Sequence, residues 1–203
     1  MNAVIENYNA ENYIEMETSL SIFKNKIEEL KNELKIENTK EYINESNVSE
    51  NIMKSYINCK KGEYYYYRGM LFLNAKNNIL EGEECLEKAD KYYELSIFEK
   101  NENSEIVNQY LYNVRAYINQ ILYKYNKNGN KQKAKENVKR AVRFSQKACE
   151  NYGNTRYSKD YRNYGANIEL ELAFENNDEG KNIQTSDWIK RMKEAYHQYE
   201  LAK

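Results

Sequence analysis

The sequence predicts an all-α protein of antiparallel helix pairs stacked around a concave groove. Proline is absent and glycine occurs only 7 times in 203 residues, so the two residues that break helices most strongly are scarce. Apolar residues recur at steps of three and four through most of the chain, which is the period of one helix face. Short runs rich in Asn, Gly, Ser and Thr separate these periodic stretches. We therefore expect one helical domain over 1–203, with a core at about 11–176 and an additional C-terminal helix at about 185–202.

The first long helix is predicted at about 11–37 from a stripe of apolar residues with heptad spacing. The stripe consists of Tyr13, Met16, Leu20, Phe23, Ile27, Leu30 and Leu34. Such a stripe forms either a coiled-coil seam between chains or the buried face of one helix in a layered stack. Because it extends over fewer than four heptads, the stack is favoured.

Seven further helices are predicted from the breaks that follow. A second helix is expected at about 40–60, with candidate N-caps at Thr39 and at 46–49. Gly62 is expected to break or bend the chain before a third helix at about 63–77, and a turn bracketed by Asn77 and Gly82 precedes the fourth. The fourth helix is predicted to end near 99. The fifth should cover about 105–126, and the sixth should run from the turn at 126–130 to about 150. The seventh and eighth should cover about 156–176 and 185–202.

Composition argues against several classes of partner. The formal net charge is -1, so no overall field attracts nucleic acid or an anionic membrane. No apolar run approaches the ~20 residues of a membrane span, and no signal peptide is recognisable. The 3 cysteines are far apart, which predicts small buried thiols in a reducing compartment. We expect a cytoplasmic protein without a membrane partner.

Catalytic motifs are not found in the sequence. It has no Gly-rich phosphate loop, no nucleophile elbow and no set of residues with metal-ligand spacing. The one histidine, His197, is expected on the surface near a helix end. We therefore expect a non-enzyme with no catalytic residues, no metal and no cofactor. The segment 131–147 carries seven Lys or Arg residues, and a solvated helix face is favoured there over a nucleic-acid surface.

A second, weaker pattern links three of the predicted helices. Four- and three-residue steps join Tyr65/Gly69/Phe72, Ile118/Leu122/Tyr125 and Tyr161/Gly165/Ile168, and Ala134/Val138/Ala141 form a small-residue face on a following helix. These patterns resemble tetratricopeptide repeats, in which paired helices stack into a superhelix. The intervals between them are 53 and 43 residues instead of 34.

Three short signatures between 61 and 122 carry a different resemblance. They are Lys61-Gly62-Glu63-Tyr64-Tyr65, then Tyr93-Glu94-Leu95-Ser96, then Asn113 with Tyr117, Gln120, Ile121 and Leu122. Their order and separations resemble those of 14-3-3 proteins, whose subunits are also lengthened helical pairs. The resemblance implies an adaptor for phosphoserine and phosphothreonine peptides, with phosphorylated proteins as partners.

The resemblance also implies which cations would bind the phosphate. Leu20-Ser21-Ile22-Phe23-Lys24-Asn25 is similar to the family's Leu-Ser-x-x-Tyr-Lys-Asn, so Lys24 corresponds to its lysine and Lys31 to the arginine seven residues later. Arg68 corresponds to the family's third cation, an arginine, if Tyr67-Arg68 matches the family's pair of an arginine and a tyrosine. An ungapped count puts that pair on Tyr66 and Tyr67 instead. The alternatives are a solvated face for the two lysines and an ordinary ion pair with a glutamate for Arg68.

Two asparagines are implied as clamps for the peptide backbone. Asn113 lies within its matching motif, and Asn167-Ile168-Glu169-Leu170 resembles the family's second Asn-Leu-x-Leu. Gln120 stands where the family has a glutamate and would support the groove. The alternative for both asparagines is an exposed position on a helix.

The departures from the family concern mainly assembly. Only about ten polar residues precede Tyr13, too few for the two N-terminal helices with which 14-3-3 proteins dimerise. The usual dimer is therefore expected to be absent or reduced, and the C-terminal helix either covers its own subunit, which is favoured, or pairs with a neighbour. The competing functional hypothesis is a tetratricopeptide-like scaffold that binds unmodified peptides or helices.

Overall fold

The computed structural model describes residues 1–37, 46–97, 105–150 and 158–178, together with part of the segment 189–200. All regular structure in these ranges is α-helical, as predicted, and no strand occurs among them. Sequential helices pack against each other in antiparallel pairs. Two compact units are distinguished, an N-terminal unit (Met1–Ile97) and a C-terminal unit (Phe98–Lys203).

The N-terminal unit contains four helices. They are α1 (Asn2–Asn9), α2 (Tyr13–Glu37), α3 (Ser46–Asn74) and α4 (Ile79–Glu94). The heptad stripe of α2 points into this unit, as the stack interpretation requires: Met16, Leu20, Phe23 and Ile27 are buried, and Tyr13 and Leu30 pack against them. The side chain of Leu34, the last residue of the predicted stripe, lies outside the part of the chain that the structure describes.

Helix α1 was not predicted, because its eight residues are too few to show a helical period. Its single buried residue, Val4, is 0% exposed and belongs to the core cluster of α2 and α3. The Asn7 Nδ2 donates to Ser19 Oγ at 3.2 Å, and the ring of Tyr8 meets Tyr67 edge-on at 5.6 Å. Helix α1 is therefore attached to α2 and α3 of its own chain.

The predicted break at Gly62 is wrong, because α3 runs through it as one helix of 29 residues. A Cβ at Gly62 would lie 3.0 Å from the ring of Tyr93 on α4. The glycine therefore permits a close approach of two helices instead of ending one. Gly82 behaves in the same way: it lies inside α4, where a Cβ would come within 2.6 Å of Leu73. Helix α4 also ends at Glu94, five residues before the predicted end.

The C-terminal unit contains α5 (Glu105–Asn126), α6 (Lys131–Glu150) and α7 (Ser158–Asp178), each within two residues of its prediction. The small-residue face of α6 is a contact face, since Ala134, Val138 and Ala141 are all 0% exposed.

The described residues of the C-terminal segment, between 189 and 200, are helical and bond to α7. Arg191 pairs with Glu171 and, at 2.8 Å, with Glu175, while Tyr164 Oη donates to Glu194 Oε1 at 2.6 Å. These bonds attach the described part of the segment to α7 of its own unit. Within the described ranges, none of the helices is long and apolar enough to cross a membrane.

Candidate functional site

The two lysines predicted on α2 share one exposed face with a glutamate between them. Lys24, Glu28 and Lys31 are separated by four and three residues, so their side chains lie above one another on the helix. Lys31 Nζ lies 2.5 Å from Glu28 Oε2, and the side chains of this pair are 33% and 53% exposed. Lys24 is exposed. The two predicted cations are therefore on the same side of α2.

A third lysine, Lys61, joins them from α3. The hydrogen bond from Lys31 lowers the pKa of Glu28, and the positive charges of Lys31, Lys61 and Lys24 lower this pKa further. Burial lowers the pKa of Lys61, and the neighbouring charge of Lys31 adds to this effect, while Glu28 opposes it. We call Lys24, Lys31 and Lys61 the lysine cluster. All three lysines contribute positive charge around Glu28.

An aromatic pair on α3 and α4 supports Lys61. The rings of Tyr65 and Tyr92 are stacked, with centroids 5.4 Å apart and planes 7° from parallel. Lys61 Nζ lies over the Tyr92 ring at 5.3 Å, and Lys88 Nζ lies over the Tyr65 ring at 5.9 Å. An aromatic face attracts an ammonium group without neutralising it. Tyr92 therefore orients Lys61 and leaves its charge available for an anion.

Arg68, predicted as the third cation, has its hydrogen bond and ring contacts on its own helix, α3. Its guanidinium donates to Tyr64 Oη at 2.8 Å and lies over the rings of Tyr64 and Phe72 at 5.9 and 5.6 Å. Arg68 makes no ion pair with the described carboxylates, so the expected glutamate pair is not seen there. The predicted tyrosine, Tyr67, is half-buried against Tyr8, and burial raises its pKa.

The predicted asparagines lie in the C-terminal unit, in a polar seam between α5 and α7. The seam consists of Gln109, Asn113, Gln120, Asp160 and Asn167. Asn113 Nδ2 and Gln109 Nε2 each donate to the Asp160 carboxylate at 2.6 Å, and Gln120 Nε2 donates to Asn167 Oδ1 at the same distance. These bonds join α5 to α7, which lie on either side of α6 in sequence.

Neither asparagine has the exposed position of the alternative interpretation. Asn167 is 0% exposed and also donates to Ser145 Oγ at 3.2 Å, so both ends of its amide are bonded inside the unit. Asn113 is half-buried, and its Oδ1 is buried without a hydrogen-bond partner in the described residues. Their contact with a peptide stays a prediction.

Other chemistry is not assembled in the described residues. They contain no group of three or more His, Cys, Asp or Glu side chains that is able to hold a metal ion. His197 is exposed. The basic residues of α6 include Lys139, Arg140 and Arg143 on its exposed face, where the sequence predicted a solvated face.

The sequence-based prediction missed Lys61, Glu28 and Tyr92. Lys61 was part of a matching motif but was not predicted to bind anything, because its proximity to Lys31 depends on how α2 and α3 pair. One signal was present: Lys61 and Arg68 are seven residues apart, the same separation as Lys24 and Lys31. Comparison with known proteins finds no matching family model, no matching curated protein and no matching solved structure.

Proposed function

We propose that this protein is a non-catalytic adaptor for peptides phosphorylated on serine or threonine, and that the lysine cluster binds the phosphate. The observation that carries the proposal is that Lys24 and Lys31 flank Glu28 on one exposed face of α2, with Lys31 Nζ 2.5 Å from Glu28 Oε2. Lys61 on α3 is near enough for its charge to lower the pKa of Glu28. A phosphorylated side chain has a charge of about −1.5 to −2 at neutral pH and three acceptor oxygens. Three ammonium groups together match both the charge and the hydrogen-bonding capacity of such a group.

The presence of lysines determines the affinity of this binding and its dependence on salt. An ammonium group is a point charge and does not form the planar two-bond contact that an arginine makes with phosphate. Because Lys24 is exposed and Lys31 partly so, salt screens their attraction for an anion. The proposal therefore predicts a modest affinity that falls steeply as ionic strength rises.

The rest of the proposal concerns the peptide chain. We propose a 14-3-3-like cytoplasmic adaptor in which Asn113 and Asn167 of the C-terminal unit bind a peptide backbone. Both amides already have intramolecular hydrogen bonds, Asn113 to Asp160 and Asn167 to Gln120. Backbone binding therefore requires these bonds to be exchanged for bonds to the peptide.

A second candidate function is favoured by that same satisfied seam. A tetratricopeptide-like scaffold needs helices that pack closely and does not need free amides. Close packing is supported by the 0% exposure of Ala134, Val138 and Ala141 and by the proximity of Gly82 to Leu73. Such a scaffold binds an unmodified peptide or helix in its groove.

One titration separates the two candidates. The full chain is titrated with a serine/threonine peptide library in its phosphorylated form and with the identical library in its unphosphorylated form. The adaptor proposal predicts binding of the phosphorylated peptides alone at moderate salt. Equal binding of both forms would refute the adaptor and support the scaffold.

A further inference from the structure

We infer that Glu28 is a resident counter-ion of the lysine cluster, that it occupies the position a ligand phosphate takes, and that binding displaces it. This inference rests on the proposed function, because it concerns the same site. It adds that the protein contains its own weak competitor for the phosphate, the Glu28 carboxylate.

The position of Glu28 is the first support. It lies on α2 between Lys24 and Lys31, one helical turn from each. Its Oε2 is 2.5 Å from Lys31 Nζ, in the charge-assisted hydrogen bond that a phosphate oxygen also makes with an ammonium group. A carboxylate at this point has the charge sign and the acceptor geometry of a bound phosphate oxygen.

The balance of charge is the second support. The lysine cluster has three positive charges and Glu28 one negative charge, so two positive charges remain uncompensated by it. Once Glu28 turns away, a phosphate dianion compensates two of the three positive charges, whereas the carboxylate that it replaces compensates one. Lys61 illustrates this excess: it lies over the neutral ring of Tyr92 and makes no ion pair with a described carboxylate.

The exposure of the pair makes displacement easy. With side chains 33% and 53% exposed, Lys31 and Glu28 form a surface ion pair between residues three apart on one helix. Such pairs contribute little to stability and exchange readily with solvent. Glu28 is therefore able to rotate into water while Lys31 transfers its hydrogen bond to the phosphate.

The test compares Glu28→Gln with Glu29→Gln. Both remove one negative charge from exposed positions of the same helix, but Glu29 lies about 100° further around the helix and outside the cluster's face. Binding of inorganic phosphate and of O-phosphoserine is measured by calorimetry for the wild type and both variants at low salt. Circular dichroism checks that all three proteins have the same helix content.

We expect Glu28→Gln to bind both probes about fivefold more tightly than Glu29→Gln, since one like charge is removed at about 4 Å in a water-exposed site. An affinity that is equal in the two variants, or lower for Glu28→Gln, would overturn the inference. A wild type that prefers phosphopeptides while Glu28→Gln gains nothing would overturn the inference alone. Failure of all three proteins to bind phosphate, O-phosphoserine and phosphopeptides would overturn the proposed function as well.

Discussion

Gln120 and Asn167 are joined by a 2.6 Å hydrogen bond across 47 residues, and Asn113 and Asp160 are joined at the same distance and the same separation. The two bonds have the same sequence separation, and their ends lie seven residues apart along each helix. Helices α5 and α7 therefore run parallel in a fixed register. The seam is largely buried, with Asp160 only 4% and Asn167 0% exposed. Buried hydrogen bonds of this kind favour one particular register, because any other register would leave these polar groups without their partners.

The seam leads to a prediction about Asp160. Replacing it by alanine leaves the amides of Gln109 and Asn113 without this acceptor, and we expect a loss of about 2–4 kcal/mol in the free energy of unfolding. Urea unfolding followed by circular dichroism measures this loss. The control is Arg162→Ala, an exposed position on the same helix, with an expected effect below about 0.5 kcal/mol. An unchanged unfolding midpoint for Asp160→Ala would show that the seam contributes no stability.

Glycine substitutions test the close packing of α3 against α4. In Gly82→Ala the new methyl lies 2.6 Å from Leu73, so overpacking by about 1–3 kcal/mol outweighs the gain of about 1 kcal/mol in helix propensity. Gly129→Ala is the matched control, because no atom lies within 4 Å of a Cβ there. We expect thermal denaturation to show a lower Tm for Gly82→Ala and an equal or higher Tm for Gly129→Ala. The opposite order would contradict the described helix contact.

Two cysteines are predicted to react slowly. Burial raises the pKa of Cys59 to about 11 and, with the nearby charges of Asp160 and Glu150, that of Cys149 to about 12. Because the thiolate is the reactive form, alkylation by iodoacetamide at pH 8 should be slower than in the unfolded chain by about 100-fold at Cys59 and about 1,000-fold at Cys149. Mass spectrometry of the modified peptides follows both sites separately. Equal rates in the folded and unfolded chains would contradict the burial of these thiols.

The same shifts predict how stability depends on pH. The folded chain keeps both thiols neutral above their ordinary pKa of 9, whereas the unfolded chain loses these protons. The stability that the neutral thiols contribute is complete below pH 9 and is lost as pH rises from 9 towards about 11 and 12. A Cys59→Ser, Cys149→Ser variant should show a flatter decline over that range in denaturant titrations.

Assembly gives a further prediction. Helix α1 packs on α2 and α3 through Val4 and Tyr8, and Arg191 and Glu194 bond to α7. Because both ends of the described chain are engaged within their own units, we expect light scattering at micromolar concentration to give the mass of one chain, 24.3 kDa. A species of twice that mass that survives deletion of 1–12 and dissociates on deletion of 185–203 would contradict this. It would identify the C-terminal segment as an interface.

Local sequence patterns predicted most of the helices. Contacts between helices explain where these predictions failed. Helices α5, α6 and α7 were predictable because turn residues mark their ends. Asn130, for example, caps α6, since its Oδ1 accepts a hydrogen bond from Lys133 N at 3.0 Å. Gly62 was misread because helix propensity describes a glycine alone, while its neighbour Tyr93 lies on α4. Helix α1 was missed because one buried residue, Val4, leaves no periodicity to detect.

The site was predictable only where its residues share a helix. Lys24 and Lys31 follow from spacing on α2, and their common face needed no tertiary information. Lys61 and Tyr92 required the pairing of α3 with α2 and with α4, which the spacing of residues within one helix does not determine. Asn113 and Asn167 were found by resemblance, but their bonds to Asp160 and Gln120 depend on the parallel register of α5 and α7.

The lysine cluster is tested most directly by its removal, with a control variant of the same net charge. The variant Lys24→Gln, Lys31→Gln, Lys61→Gln is compared with Lys124→Gln, Lys127→Gln, Lys139→Gln, three exposed lysines of the C-terminal unit. Fluorescence anisotropy with one labelled phosphoserine peptide and its unphosphorylated counterpart gives both affinities. The account predicts that the first variant loses at least about tenfold in affinity for the phosphopeptide, with the control retaining wild-type affinity within about twofold. An equal loss in both variants, or no loss in the first, would contradict the assignment of phosphate binding to these three lysines.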